Sequence, residues 1–389
     1  MSRELLISHL HALDLLDNRY AQIKCINYDL QRALKGQGYF SLVFKAHDTI
    51  LDKPVVLKFF DPTRTMETYR IDCFRREPDV LKVLRDKPRC LQLAEDLKVL
   101  AIPTATTTGH TINLQFEYFA LDWIDEEIES HFNDQCNLDA EFKLRLFNDI
   151  VLGVQAIHRS DIFHRDLKPD NFRAHKEEIK RIVVAIDLGT AASYASKAIL
   201  PSYGGSVGLP LYASPEARCG LAGVRQIAAR TDYYALGCML YELFNLDLFG
   251  AVQQRNNGFM AACAAMAMLL ATKRDEAAKV ETWESNVGRF RALVSVPTIA
   301  GPDHTAPLAI VSELDKLLLE LVEFDYKNRI SDLDWVRQRV WNMISVLKHQ
   351  RLQNKRIEIK RSIRAARAAK ALQREERLKV RSVQMRLVC

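Results

Sequence analysis

Three runs in the first third of the chain are rich in β-branched and aromatic residues and predict strands: Ala33 to Ala46, broken by Gly36 and Gly38, then Pro54 to Phe60, then Ile112 to Ile124. Between the second and third, Phe74, Val80, Leu81 and Leu84 recur at helical spacing and predict a helix within Met66 to Leu84. From Leu138 onward the pattern turns helical. Phe142, Leu146, Ile150, Val151, Val154 and Ile157 form one face of a helix ending near His158, and Asp232 to Phe244 and Val311 to Val322 repeat the pattern. Leu5, Leu6, Leu10, Leu13 and Leu16 predict a short amphipathic helix that docks on the core.

A β-rich part followed by a helical part predicts an α+β chain of two packed lobes, with a cleft between them where ligands bind. The divisions fall at 1–19 for the amino-terminal helix, 20–124 for the β-rich lobe, 125–346 for the helical lobe and 347–389 for a tail. Residues 253–304 carry no legible period: an Ala/Met-rich stretch from Phe259 to Ala271, a charged stretch, then a loop with Pro297, Gly301 and Pro302. That apolar stretch is roughly 13 residues, short of the ~20 that a bilayer requires, so no transmembrane segment is expected.

Of the 389 residues, 48% are hydrophobic and 27% charged, enough apolar content for a sizeable core, which excludes disorder as the dominant state. Charge divides the chain further. The 55 Lys and Arg against 49 Asp and Glu give +6 overall. Residues 348–389 hold 14 Lys and Arg against Glu358, Glu375 and Glu376, a local +11, which leaves about −5 for the rest. A mildly acidic globule therefore carries a basic tail, about 60 Å long if helical at ~1.5 Å per residue. Leu352, Ile359, Ile363 and Ala366 give that tail a thin apolar stripe. Three readings stand: a solvated helix, a segment that meets an anionic partner (nucleic acid or a membrane surface), or a helix packed on the acidic globule or a partner helix. No aromatic residue follows Trp341, which weighs against base stacking. Cys389 is the last residue, so it does not make a prenylation box. The eight cysteines form no C-x-x-C pair and the amino terminus lacks a cleavage site, so a reducing, cytoplasmic setting is expected.

The candidate chemistry begins with Gly36-Gln37-Gly38, flanked by strand formers, which suits a hairpin whose backbone approaches phosphates closely; a glycine pair alone is more often just a turn. Fifteen residues past Val43, Lys58 sits in an apolar strand, where burying an ammonium requires an anion beside it. Glu77, in the helical stretch, is the candidate partner, although alone the lysine reads equally as exposed on an edge strand and the glutamate as a helix-surface residue. The decisive run is His164-Arg165-Asp166-Leu167-Lys168-Pro169-Asp170-Asn171. It resembles the catalytic loop of eukaryotic-type protein kinases at every position.

Further matches follow in the family's order. Asp187-Leu188-Gly189 resembles the magnesium-binding motif, with Leu for Phe, and Ala213-Ser214-Pro215-Glu216 resembles the motif that ends the activation segment. The resemblance covers about residues 20–345 and implies the bilobal protein-kinase fold, with the basic tail as a helical extension. It implies ATP and Mg²⁺ as cofactors, with Asn171 and Asp187 as metal ligands. Lys58, held by Glu77, would grip the α- and β-phosphates beneath Gly36, Gly38 and Val43. Asp166 would orient the substrate hydroxyl and accept its proton, and Lys168 would stabilise the transferring phosphoryl group. Leu121 would stand at the back of the adenine pocket, with Asp122, Trp123 and Ile124 as the hinge. His164 and Arg165 belong to the loop's framework. Asp232 resembles the buried aspartate that opens the large helix of the second lobe and holds the catalytic loop, and Arg329 the arginine that pairs with Glu216.

The resemblance thus implies transfer of the ATP γ-phosphate to a protein hydroxyl, serine or threonine because Lys168 stands in the loop. Arg165 would meet a phosphate on the activation segment, where Thr190, Ser193, Tyr194, Ser196, Ser202, Tyr203 and Ser206 offer hydroxyls. Two departures keep a non-catalytic kinase-like scaffold open as the alternative. Ser41 replaces the third glycine, and Leu209 replaces a threonine whose hydroxyl bonds the catalytic Asp and Lys. A small-molecule phosphotransferase is the third reading.

Overall fold

The computed structural model describes residues 2–29, 34–35, 41–64, 66–105, 110–177, 180–194, 207–301 and 304–386. Helix α1 (Arg3–Ala12) opens the chain, its first turn capped by the Ser2 hydroxyl, which accepts the Leu5 N–H. It buries Leu6, Ile7 and Leu10. Leu5 of the expected stripe is only half-buried, and Leu16 reaches the core from beyond the helix end.

Then come β1 (Tyr20–Cys25), β2 (Tyr28–Asp29), β3 (Leu34–Lys35), β4 (Ser41–Asp48), β5 (Lys53–Phe60), α2 (Thr68–Val83), β6 (Leu93–Ala105) and β7 (Thr111–Asp122). Five of these strands form an antiparallel sheet in the order β1-β4-β5-β7-β6. Period-two alternation assigns its faces. Leu42, Phe44, Val55, Leu57, Phe59 and Tyr118 pack in one apolar cluster with α1. The register pairs Val43 with Lys58 and Val56 with Leu121, which sets these four on the opposite face, toward α2 and the second lobe.

Two expectations change here. Ala33 to Ala46 is not one hairpin: the outer neighbour of β4 is β1, whereas Leu34 and Lys35 pair with Tyr28 and Asp29. β1 wins that place because Tyr20, Ile23 and Cys25 fill the cluster under α1. Where β1 ends, the Asn27 amide continues its ladder: Nδ2 donates to the Ser41 carbonyl at 3.0 Å and Oδ1 accepts the Val43 N–H at 2.9 Å. Gly36 and Gly38 lie outside the described residues. The second change is β6, a 13-residue edge strand that the hydrophobic pattern did not reveal. Its side chains are mostly half-exposed, and the backbone ladder to β7 holds it.

The second lobe continues with β8 (Glu126–Glu127), α3 (Glu129–Asn133), α4 (Ala140–His158), β9 (Ile162–Phe163), β10 (Phe172–Glu177), β11 (Lys180–Ala185) and β12 (Ala192–Ser193). After these come α5 (Pro215–Arg218), α6 (Arg225–Phe244), α7 (Phe249–Gln254), α8 (Asn257–Ala271), α9 (Glu276–Arg291), α10 (Val311–Leu321) and α11 (Leu333–Arg386). α4 starts where Asp139 accepts the Phe142 N–H and ends at His158, as its apolar face predicts. α6 is the axle of the lobe, with sixteen of its twenty residues buried. It begins seven residues before Asp232, because Ile227 and Ala228 extend the buried surface backward. Asp232 therefore lies inside this helix rather than opening it.

The illegible stretch 253–304 holds α8 and α9, capped by Asn256 and Asp275. Its core is a cluster of Phe259, Met266, Trp283 and Phe324, with Trp283 stacked on Phe324 at 6.0 Å. α11 is a single 54-residue helix that crosses position 346 without a break. Leu333, Val336, Val340, Met343 and Ile344 anchor it in the core, Leu347 is the last side chain packed there, and residues 348–374 are all exposed.

Candidate active site

Lys58 lies mid-strand in β5, buried, with its Nζ 2.6 Å from Glu77 Oε2 of α2 and 2.8 Å from Asp187 Oδ1 just beyond β11. The ion pair to Glu77 proposed from sequence is thus present, and Asp187 joins it. Burial alone would lower the Lys58 ammonium, but the charges of Asp187 and Glu77 reverse that and hold it above its ordinary value. Burial pushes the Glu77 carboxyl up against the pull of Lys58. At Asp187 burial also opposes charge, and the adjacent Lys58 ammonium overcomes it and lowers the carboxyl. Asp187 adopts a left-handed backbone, φ 61°, which turns its side chain out of the strand line toward Lys58.

Loop 164–171 hangs from the interior of α6. Asp232 Oδ2 accepts the His164 N–H at 2.8 Å, Oδ1 accepts the Arg165 N–H at 2.8 Å, and His158 Nε2 lies 2.7 Å from Oδ2. These bonds support the left-handed turn at Arg165, φ 65°. His164 Nε2 sits 2.8 Å from the Ile186 carbonyl, and the Ile186 N–H donates to the Asn171 carbonyl at 2.9 Å. The loop and the approach to Asp187 are therefore one hydrogen-bonded unit. Asn171 Nδ2 donates to the Asp166 carbonyl at 2.7 Å, which leaves the amide oxygen of Asn171 for a cation. Asn171 and Asp187 offer hard oxygen donors, and Mg²⁺ takes only one or two such protein ligands when phosphates supply the rest. The residues present fit that ion.

Asp166 has its carboxyl raised by burial, against the opposing charges of Lys168 and His164. Its Oδ1 accepts the Leu209 backbone N–H at 2.8 Å. The bond that a threonine hydroxyl was expected to supply at this position is replaced by one from the main chain. Gly208 makes that approach feasible: its φ is 85°, and a Cβ there would stand 2.7 Å from the Arg165 carbonyl and 3.0 Å from Asp166 Oδ1. Lys168 is partly exposed beside this carboxylate, its Nζ 3.7 Å from Asp170.

Leu121 is buried at the end of β7, and Ile124 joins the same apolar cluster. Asp122 accepts Lys53 Nζ at 2.7 Å. Trp123 lies under Lys45, whose Nζ is 4.1 Å from the ring centroid. Val43 shares the face of Lys58 and stands partly exposed over the cleft. Far below, Glu216 and Arg329 form a fully buried bidentate pair at 2.5 and 3.1 Å, and Arg329 also donates to the carbonyls of Glu323 and Arg230.

Two of the expected activation-segment hydroxyls are not accessible. Thr190 and Ser193 are buried, because β12 pairs with β9 and draws this stretch inside. Tyr194 donates its hydroxyl to the Gly223 carbonyl at 2.7 Å, and Ser196, Ser202, Tyr203 and Ser206 lie outside the described residues. Beside this stretch two arginines converge. The Arg165 guanidinium donates to the Thr190 carbonyl and Arg76 to the Ala191 carbonyl. Burial lowers both guanidinium groups, and the charge of Arg165 lowers Arg76 further. Sequence reasoning missed His158, Arg76 and Gly208's contact with Asp166. His158 and Arg76 sit in helices where local pattern gives no signal, and the approach of Gly208 to Asp166 spans about forty residues of sequence.

Comparison with known proteins gives the same reading. The protein kinase domain family matches residues 28–349. The chain is 29% identical over 223 residues to a probable serine/threonine-protein kinase of Streptomyces coelicolor, covering 56% of this chain and 30% of that protein. It is 28% identical over 220 residues to a serine/threonine-protein kinase of Corynebacterium efficiens, covering 56% and 39%. A probable cell division protein kinase of Encephalitozoon cuniculi is 26% identical over 225 residues, covering 58% and 74%. The match thus spans only about a third of the first two relatives. With a kinase catalytic loop held in a two-lobed frame and a family match over most of its length, this chain belongs to the protein kinase domain family.

Proposed function

We propose that this chain transfers the γ-phosphate of ATP, with Mg²⁺, to a serine or threonine hydroxyl of a protein substrate. The observation that carries the reading is that Lys58, Asp166, Asn171 and Asp187 are all present and held by one connected set of bonds. Lys58 serves the α- and β-phosphates while Glu77 keeps it in place. Bound Mg²⁺ supplies charge neutralisation at the phosphates, and Asn171 and Asp187 are the residues that would hold it. Asp166 offers Oδ2 to the substrate hydroxyl, since Leu209 engages Oδ1 at 2.8 Å and Asn171 Nδ2 reaches Oδ2 only at a long 3.4 Å. Lys168 stands beside it to stabilise the charge of the transferring group. Leu121 and the backbone from Asp122 to Ile124 border the adenine. Arg76 and Arg165 would receive a phosphate on the activation segment, and the basic tail would meet an anionic partner.

The test is transfer of label from γ-labelled Mg-ATP to the protein itself and to a generic basic protein, wild type beside Asp166→Ala, followed by phosphoamino-acid analysis. Label on serine or threonine with the wild type alone supports the reading. Equal label with both, or label only on tyrosine, overturns it.

A further inference from the structure

The free part of α11 holds none of the residues of the phosphoryl-transfer site, yet it carries a dense run of exposed positive charge. From Lys348 to Arg374 every residue is exposed, and this stretch holds ten Lys and Arg against the single acid Glu358. Only its base touches the globule, where Lys348 and Arg351 lie 3.8 and 3.6 Å from Glu141. Like charges three or four residues apart repel on a helix, each pair destabilising it by a few tenths of a kcal/mol. Eight such pairs occur here, for example Lys360 with Arg364 and Arg367 with Lys370. A polyanion would relieve all of them.

The arrangement of the cations selects among polyanions. At about 100° per residue, the ten positions circle the helix with no gap wider than about 80°. A membrane engages one face and calls for a broad apolar face with aromatic anchors; here the thin stripe of Leu352, Ile359, Ile363 and Ala366 is crossed by Lys370 and has no aromatic. A partner helix needs a continuous seam. Both heptad seams through Leu352, Ile359 and Ala366 are interrupted, one by Arg356 and Lys370 and the other by Lys355 and Ser362. Single-stranded nucleic acid binds through aromatic stacking, and no aromatic residue follows Trp341. A groove with phosphates on both walls suits a rod charged all round. The B-form major groove, about 12 Å wide, admits a helix, whereas the deep, narrow groove of duplex RNA does not.

We propose that the free part of α11 binds double-stranded DNA without sequence preference, lying along the major groove with its cations on the phosphates of both strands. The test is equilibrium binding of the full chain to a fluorescent duplex of about 24 base pairs across roughly 50–200 mM salt. If six to ten of the cations meet phosphates, affinity falls by about 10³–10⁵ over that range. The variant K360Q/R361Q/R364Q/R367Q, which touches no active-site residue, should reduce the slope of log affinity against log salt by about three to four. Its melting temperature should stay at the wild-type value. Binding that is absent at the lowest salt, or unchanged in the variant, overturns the proposal. So does tighter binding to single-stranded oligonucleotide, to duplex RNA or to phosphatidylserine vesicles.

Discussion

Replacing Gly208 by alanine perturbs the contact that substitutes for the absent threonine at position 209. The glycine sits at φ 85°, where a Cβ costs roughly 1–2 kcal/mol by itself. That Cβ would stand 2.7 Å from the Arg165 carbonyl, on a segment that Asp232 pins through two backbone bonds of 2.8 Å. The loop cannot retreat cheaply, so the turn carrying Leu209 must move instead. The bond from the Leu209 N–H to Asp166 Oδ1, 2.8 Å long, is then lost. A hydrogen bond to a charged group contributes about 1.5–3 kcal/mol, so kcat should fall by about 10- to 150-fold. ATP affinity should stay within about twofold, because Lys58 bonds Glu77 and Asp187 rather than this turn. The assay is steady-state phosphorylation of a generic basic protein, with nucleotide titration and a thermal melt of the same sample. Wild-type kcat in a folded Gly208→Ala protein would refute the role given to this backbone bond.

Other outcomes follow from the same geometry. Leu209→Thr should change kcat/KM by less than about threefold, since the main chain already supplies the bond; a tenfold gain would show that the hydroxyl is missed. Glu216→Gln leaves the fully buried Arg329 without its anion and should cost about 3–5 kcal/mol in urea unfolding, whereas a loss under about 1 kcal/mol would contradict the pairing. Glu242 accepts the Tyr212 hydroxyl at 2.8 Å, and burial pushes its carboxyl up to about 8. The folded state thus binds this proton more tightly than the unfolded chain between about pH 4.5 and 8, and stability falls as pH rises through that window. Glu242→Gln removes the effect, so the variant's advantage should grow from pH 5 to 8, by roughly 3 kcal/mol, and level off above. Thermal melts across that range check it, and a pH-independent offset would contradict it.

What was legible in the sequence was local or carried by contiguous motifs. The apolar face of α4 and its capping Asp139 mark both ends of that helix, and the loop His164–Asn171 places five site residues within eight positions. The Lys58–Glu77 pair was legible through the family resemblance, since by themselves a strand lysine can face solvent and a helix glutamate can sit on the surface. What was not legible depends on distant neighbours. β6 lies on a sheet edge, and its apolar residues, with Val99 to Ile102 consecutive, follow no period of two, so no alternation betrays it. α8 is Ala-rich on every side, and α9 is mostly polar; only their packing through Trp283 and Phe324 shows which faces are inside. The partner of β4 was decided by which segment fills the space beneath α1, a competition that Tyr20 and Ile23 win from outside the glycine-containing run. At position 209 the side chain was visible, but the backbone N–H that takes over its task was not.

The most direct measurement is multiple-turnover transfer from Mg-ATP to a generic basic protein, counted in moles of phosphate per mole of enzyme, for the wild type and Asp187→Asn. A kinase built on this site transfers many phosphates per wild-type molecule, and the variant, with its metal carboxylate neutralised, falls by orders of magnitude. Transfer that stops at or below one phosphate per molecule, or that is equal in the two proteins, would contradict the assignment of phosphoryl transfer to Lys58, Asp166, Asn171 and Asp187.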